Sequence, residues 1–163
     1  EGSQLAALRA DIKPGQLILD YCGGSGGKSL AVAHLLQQKG QIFVHEPREV
    51  ALGKAKKRFA RAGITNVQFH NNEESLNKIG LNKMDWVIVD APCTGTGTLR
   101  RNPDIKLKFD EEWIKRNVML QQSIVSKALK FLSKNGKLLY ITCSLLKQEN
   151  EEQIKHFTKT FNL

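Results

Sequence analysis

Two cysteines stand just past the ends of apolar runs. Cys93 closes Trp86-Val87-Ile88-Val89-Asp90-Ala91-Pro92-Cys93, and Cys143 closes Lys137-Leu138-Leu139-Tyr140-Ile141-Thr142-Cys143. A thiolate is a strong nucleophile. In an open α/β sheet the carboxyl ends of the strands form the ligand crevice. Two thiols at such ends suggest covalent chemistry, with one sulfur attacking and a second close by. Cys22 is the third and last cysteine, far from both, and no CxxC pair occurs. A zinc site or a thioredoxin-type redox pair is therefore not expected, and the odd count argues for free thiols.

A second chemical element is the loop Asp20-Tyr21-Cys22-Gly23-Gly24-Ser25-Gly26-Gly27-Lys28-Ser29. It follows an apolar run and opens a helical one. Its glycines let the backbone turn sharply and approach a ligand, and the helix start offers free N–H groups to an anion. Two ligands compete for it. Gly27-Lys28-Ser29 ends like a Walker A loop, with Cys22 where the first glycine belongs, and the Asp90 strand passes for a Walker B element. A nucleoside cofactor instead requires an acid near the end of the second strand for its ribose. Glu46, in Val44-His45-Glu46-Pro47, meets that requirement. A helix-start acid favoured by the dipole is the plainer reading of Glu46.

These groups need a scaffold. The 163 residues, 40% hydrophobic and 25% charged, favour one domain with a core of its own. No run approaches a bilayer span and no secretory segment opens the chain, so a cytoplasmic protein without membrane partner is expected. Helical patterns run over Gln4–Ile12, Lys28–Lys39, Pro47–Ala62, Asp110–Ser133 and Lys147–Thr160. Strand patterns run over Gln16–Cys22, Gln41–His45, Asn66–His70, Asp85–Asp90 and Lys137–Cys143, with Asn135-Gly136 as a turn. Asp110 is the expected N-cap of the long helix. The alternation of near-continuous apolar strands with helices predicts a parallel, doubly wound α/β sheet. The excess of 25 Lys and Arg over 16 Asp and Glu, a net charge of +9, points to a polyanion partner, foremost a nucleic acid. The basic face Lys54, Lys56, Lys57, Arg58 and Arg61 is read first as solvated and second as a nucleic-acid patch.

Taken together, the segments Asp20–Lys28, Asp90-Ala91-Pro92-Cys93-Thr94-Gly95-Thr96-Gly97-Thr98-Leu99-Arg100-Arg101-Asn102-Pro103-Asp104, Tyr140-Ile141-Thr142-Cys143-Ser144-Leu145 and Glu149-Asn150-Glu151 resemble the S-adenosylmethionine-dependent RNA cytosine-5 methyltransferases of the Sun/Fmu type. Bacterial members act on ribosomal RNA. The resemblance covers nearly the whole chain and outweighs the Walker reading. It implies a class I methyltransferase (Rossmann-like) core whose loop Cys22, Gly23, Gly24, Ser25, Gly26, Gly27 and Lys28 wraps the methionine part of the cofactor. Glu46 then takes the ribose, Asn72 takes the adenine, and Asp90 lies between cofactor and target base. The implied nucleophile is Cys143, and Cys93 assists product release. Gly23, Gly24, Ser25 and Ser29 depart from the family loop, which should make it floppier, and Asn72 replaces an aspartate. Both changes bear on cofactor affinity. Relative to the family, residues 1–163 read as a catalytic core truncated at both ends. The closing strands after the last helix are missing, which leaves the fifth strand an exposed edge.

The chemistry follows from cytosine itself. Carbon 5 is a poor nucleophile until a thiolate adds to carbon 6 and makes it enamine-like. Lys28 is the candidate positive charge for that thiolate, and Asp90 would bond the exocyclic amine and ring N3. Cys93 is placed to help remove the C5 proton or expel the adduct. An attack by Cys93 itself is the alternative, because DNA cytosine-5 methyltransferases use a Pro-Cys nucleophile similar to Pro92-Cys93. Arg100 and Arg101 would hold phosphates beside the target base, which must leave its stack to reach two buried thiols. A P-loop nucleotide hydrolase and a catalytically inactive RNA-binding module are the rival functions. No metal is expected, and the sequence is silent on oligomeric state.

Overall fold

A computed structural model describes residues 2–163. The chain divides into two compact units. The first runs to Asp90 and adds Ala128–Tyr140; the second combines Ala91–Lys127 with Ile141–Leu163.

The first unit holds the sheet. Its strands are β1 (Leu17–Asp20), β2 (Gln41–His45), β3 (Val67–His70), β4 (Met84–Asp90) and β5 (Leu132–Ile141), in the order β3-β2-β1-β4-β5. The ladders β1–β2, β1–β4 and β2–β3 are parallel, in the registers Leu19↔Phe43, Leu19↔Val87 and Val44↔Phe69. The chain winds outward from β1 to β3, then returns to the other side of β1 for β4 and β5. That reversal makes the sheet doubly wound and places a switch point between the ends of β1 and β4. The strands read as unbroken apolar runs because both faces are covered: Ile18, Leu19, Ile42, Val44, Val87 and Ile88 are fully buried. The helices of this unit are α1 (Gly2–Leu8), α2 (Gly27–Leu36), α3 (Glu49–Arg61) and the short α4 (Glu73–Asn77). In α3 the apolar residues Leu52, Ala55 and Phe59 recur at helical spacing and are buried. Phe59 meets Phe69 of β3 edge-on, at 5.4 Å between centroids.

Several boundaries differ from the sequence expectation. The first helix occupies Gly2–Leu8 rather than Gln4–Ile12. α2 stops at Leu36 instead of Lys39, because Gln37 and Gln38 already turn left-handed, at φ 50° and 60°. The expected turn at Asn135-Gly136 lies inside β5. A Cβ on Gly136 would stand 2.6 Å from the Met84 carbonyl oxygen and 2.6 Å from the Leu132 side chain. The glycine there marks a close approach of two backbones, not a reversal of the chain. As expected, β5 lies at the edge of the sheet, with Leu138, Leu139 and Tyr140 only half-buried.

The second unit carries the loops that follow β4 and β5. It contains a short helix α5 (Ile105–Lys108), most of α6 (Glu111–Ala128) and α7 (Glu151–Phe161). Asp110 caps α6 as expected, its Oδ1 accepting from Trp113 N at 2.6 Å. The helix is shorter than Asp110–Ser133: it passes into a 3-10 turn at Leu129–Phe131 and then into β5.

Candidate active site

In the first unit, the turn after β1 hugs the end of β2. Gly23 N donates to His45 O at 2.9 Å, and Gly26 N to Gly23 O at 2.8 Å. A side chain at Gly23 would strike Val44 Cγ1 at 2.4 Å, and one at Gly26 would press on Ala55 and Phe59 at 3.1 Å. Gly24 and Gly26 also hold φ of 52° and 79°. These glycines are demanded by packing and backbone angle, and the loop is tied to the end of β2 at two points. Gly24 N supplies the second, donating to Glu46 Oε2 at 2.9 Å.

The turn encloses a cavity of about 170 Å³, lined by Asp20, Cys22, Gly23, Gly24, Ser25, Gly27, Lys28 and Asp90. Lys28 Nζ donates to Asp90 Oδ2 at 2.6 Å, which ties the start of α2 to the end of β4 at the switch point. Asp20 is 1% exposed; its Oδ2 accepts from the Ser29 hydroxyl, and its Oδ1 has no partner. Burial pushes its carboxyl up to about 6; the Ser29 bond opposes this and the Asp90 charge adds to it. Burial likewise pushes the Cys22 thiol up to about 12, with Asp20, Asp90 and Glu46 adding, so this thiol is inert at neutral pH.

The Asp20 shift has a measurable consequence. Between its unfolded value near 3.8 and its folded value near 6, the native state holds the proton that the unfolded state releases. Stability therefore falls as pH rises through that window, by roughly 3 kcal/mol. Urea denaturation of Asp20→Asn should lack this contribution, so its stability relative to the parent rises by that order between pH 4 and pH 7. Parallel pH profiles for the two proteins would refute the assignment.

Glu46 is 3% exposed and lies before α3, not in its first turn. Its Oε1 accepts from Arg48 N at 2.9 Å and Arg48 Nε at 2.8 Å, and its Oε2 from Arg48 Nη2 at 3.0 Å. Burial acts to raise its carboxyl, but the Arg48 bonds and the Gly24 N–H outweigh it and hold the group below the ordinary carboxylate range. Arg48 was not anticipated, although its position two residues on was a usable signal. Asn72 Oδ1 caps α4 by accepting from Ser75 N at 2.8 Å, and Asn72 Nδ2 donates to Asn71 at 3.0 Å. One lone pair of the oxygen intended for adenine is thus in use, and a second remains.

In the second unit the predicted thiols meet. Cys93 Sγ and Cys143 Sγ are 3.2 Å apart, and Cys143 N also donates to Cys93 Sγ at 3.3 Å. The hydrogen bond to Cys143, followed by burial, raises the Cys93 thiol, and either sulfur can be the donor across the pair. The thiols are not buried, as the sequence reading had them: Cys143 is exposed and Cys93 half-buried. Both sit on loops beyond the last ladder bonds, where Pro92 has no N–H to continue the pairing.

A buried polar network fixes these loops. Glu149, 0% exposed, accepts from Thr94 N at 3.0 Å, Thr94 Oγ1 at 2.5 Å and Gln121 Nε2 at 2.9 Å. Gln121 Nε2 also reaches Pro92 O at 2.9 Å, and Gln153 Nε2 donates to Gln121 Oε1 at 2.8 Å. On the other loop, Thr142 Oγ1 donates to Asn150 Oδ1 at 2.6 Å, and Asn150 Nδ2 to Ser144 O at 3.0 Å. Thr96 Oγ1 accepts from Leu145 N at 2.8 Å, and Gly97 N donates to Cys143 O at 2.9 Å. The cluster Glu149-Asn150-Glu151 was visible in the sequence without a role. Gln121, in the middle of a long helix, carried no signal. Arg100 and Arg101 are exposed on the turn after Thr98, and among the described residues neither forms an ion pair.

Among the described residues no three His, Cys, Asp or Glu side chains cluster to hold a metal, and no helix is long and apolar enough to cross a membrane. The sheet order, the pinned glycine turn and the acid after β2 define the fold of a class I S-adenosylmethionine-dependent methyltransferase. The 16S rRNA methyltransferase RsmB/F family model matches residues 7–162, and the chain belongs to that family. It is 34% identical to ribosomal RNA small subunit methyltransferase B of Shewanella oneidensis, over 95% of this chain and 36% of that relative's length. It is 32% identical to the 26S rRNA (cytosine-C(5))-methyltransferase nsun-1 of Caenorhabditis elegans, over 91% of this chain and 23% of the relative. The crystal structure of NSun6 from Pyrococcus horikoshii with SFG, an analogue of S-adenosylmethionine, superposes with a TM-score of 0.84 at 28% identity. That likeness covers 96% of this chain and 40% of the other. The chain therefore spans about a third of the length of the Shewanella relative and under half of each of the other two.

The residues present fit the family's cofactor. The partnerless Asp20 oxygen suits a cationic donor, and Lys28 with the first N–H groups of α2 suits a carboxylate. Glu46 follows β2, where the fold places a ribose acid, but its two oxygens already accept four bonds from Arg48 and Gly24, so a ribose would have to displace one of them.

Proposed function

We propose that this chain is the catalytic core of an S-adenosylmethionine-dependent enzyme that methylates C5 of cytosine in RNA, with ribosomal RNA as the substrate class. The observation that carries the reading is the pair of sulfurs 3.2 Å apart, one exposed and one half-buried, on loops held by a buried network. A pair at that distance can share a proton, and only the exposed member is open to a base.

Cys143 attacks: its sulfur forms a bond to C6 of the flipped cytosine, and C5 gains electron density. S-adenosylmethionine, when bound, supplies the methyl group. Gly23 to Lys28 and Glu46 would hold it, with Asn72 at the adenine. Asp90, already anchored by Lys28, bonds the exocyclic amine of the base. Lys28 serves Asp90 directly. After methyl transfer a base takes the C5 proton, the electrons of that C–H bond restore the C5–C6 double bond, the C6–S bond breaks and Cys143 leaves as a thiolate, which the raised Cys93 thiol beside it can protonate. Arg100 and Arg101 take phosphates next to the target nucleotide.

The test is transfer of labelled methyl from S-adenosylmethionine to ribosomal RNA, with position mapping. Incorporation at C5 of cytosine that disappears with Asp90→Asn supports the reading. Methylation at another atom, or on protein, sinks it.

A further inference from the structure

Outside the thiol site, the first unit carries a second large hollow, about 680 Å³ in volume and lined by Ser25, Lys54, Lys57, Arg58, Ala60 and Arg61. The four cations recur along α3 at spacings of three and four, which places them on one face of the helix. From Lys54 to Arg61 the row extends roughly 10 Å along the axis. Among the described residues none of the four pairs with a carboxylate. Arg58 is anchored by donating to Ser25 O at 3.1 Å and Ser25 Oγ at 3.2 Å, so the row abuts the tip of the glycine turn. Lys56, on the same helix, points elsewhere and lies over the Phe69 ring.

Four unpaired like charges along one face repel one another, and no folded-state partner compensates them. A row of this length matches successive phosphates of a nucleic-acid strand better than a single anion. No aromatic side chain lines the hollow to stack a base, so contact through the backbone is favoured. Among the described residues that line it, Ala60 is the one apolar residue type.

We propose that this basic groove on α3 is a sequence-independent phosphate track for the RNA strand, separate from the Arg100-Arg101 contact. The proposal rests on the RNA-methylating reading above for its choice of RNA over other polyanions.

The experiment uses Lys54→Gln/Lys57→Gln/Arg61→Gln, which leaves Arg58 and its Ser25 bonds in place. The probe is a fluorescein-labelled 20-nucleotide single-stranded RNA, titrated by anisotropy from 50 to 200 mM salt. Losing three phosphate contacts should flatten the slope of log K against log salt by about 2.1, or about eighteenfold in affinity across that range. Affinity for S-adenosylmethionine and the circular dichroism spectrum should stay unchanged. An unaltered slope, or no RNA binding by the parent, overturns the proposal. So does a poly-glutamate peptide that binds the parent as tightly as RNA and loses affinity in the variant, which would assign the groove to an acidic protein. Groove-dependent RNA binding without any methyl transfer would instead sink the catalytic reading and leave the track standing.

Discussion

Cys143→Ala is expected to abolish both methyl transfer and the covalent protein–RNA adduct, roughly a 10³-fold loss of rate or more, because the attacking sulfur is assigned to Cys143. Loss of a nucleophile removes the covalent route outright rather than weakening it. Cys93→Ala should do the opposite to the adduct. With the proton held beside Cys143 removed, the C6–S bond still forms but does not break efficiently, so protein–RNA conjugate accumulates and turnover stalls. Denaturing gel electrophoresis with labelled RNA reads both variants at once. The two cysteines are unequal: Cys143 is exposed, whereas Cys93 is half-buried and its thiol is raised by its hydrogen bond to Cys143 and by burial. Adduct in Cys143→Ala with none in Cys93→Ala would reverse the assignment.

Removing the Glu149 side chain should be nearly as damaging without touching a reacting atom. Its carboxylate accepts from the Thr94 backbone and hydroxyl and from Gln121, all in a buried setting. Glu149→Ala leaves several buried donors without their acceptor, at about 1–3 kcal/mol for each that water does not reach. A total loss of roughly 3 kcal/mol or more is expected in urea denaturation. Glu149→Gln keeps the shape but turns one acceptor into a donor facing another donor, and should fall between alanine and the parent. Because Thr94 follows Cys93 directly, both variants should also change the rate at which Cys93 and Cys143 react with a thiol reagent. Parental stability and thiol reactivity in Glu149→Ala would show that this network does not set the loops.

The doubly wound sheet was legible because its inner strands β1, β2 and β4 are buried on both faces and therefore mostly apolar, a pattern that survives without tertiary information. The cysteines, Asp90 and the glycine turn were legible because strand ends are where such a sheet exposes chemistry. Helix limits were less so. Gln37 and Gln38 turn left-handed without glycine, and Asn135-Gly136 has the composition of a turn but lies in a strand against Met84. The burial of the thiols was misjudged, since apolar residues flank them in sequence while their loops extend past the ladder.

Residue types alone determined which groups could react: two sulfurs, an acid at or just past the end of each of two strands, and a turn only glycine can make. Folding decided which of them touch. Lys28 and Asp90 are 62 positions apart, Cys93 and Cys143 are 50, and Gln121 reaches Glu149 across 28. Local patterning carries no record of such distances, because contacts between remote segments arise from packing the sheet and helices rather than from any neighbouring residue. The pairing of Glu46 with Arg48, the pinning of the glycine turn and the sharing of one proton between two thiols therefore exist only in the folded chain.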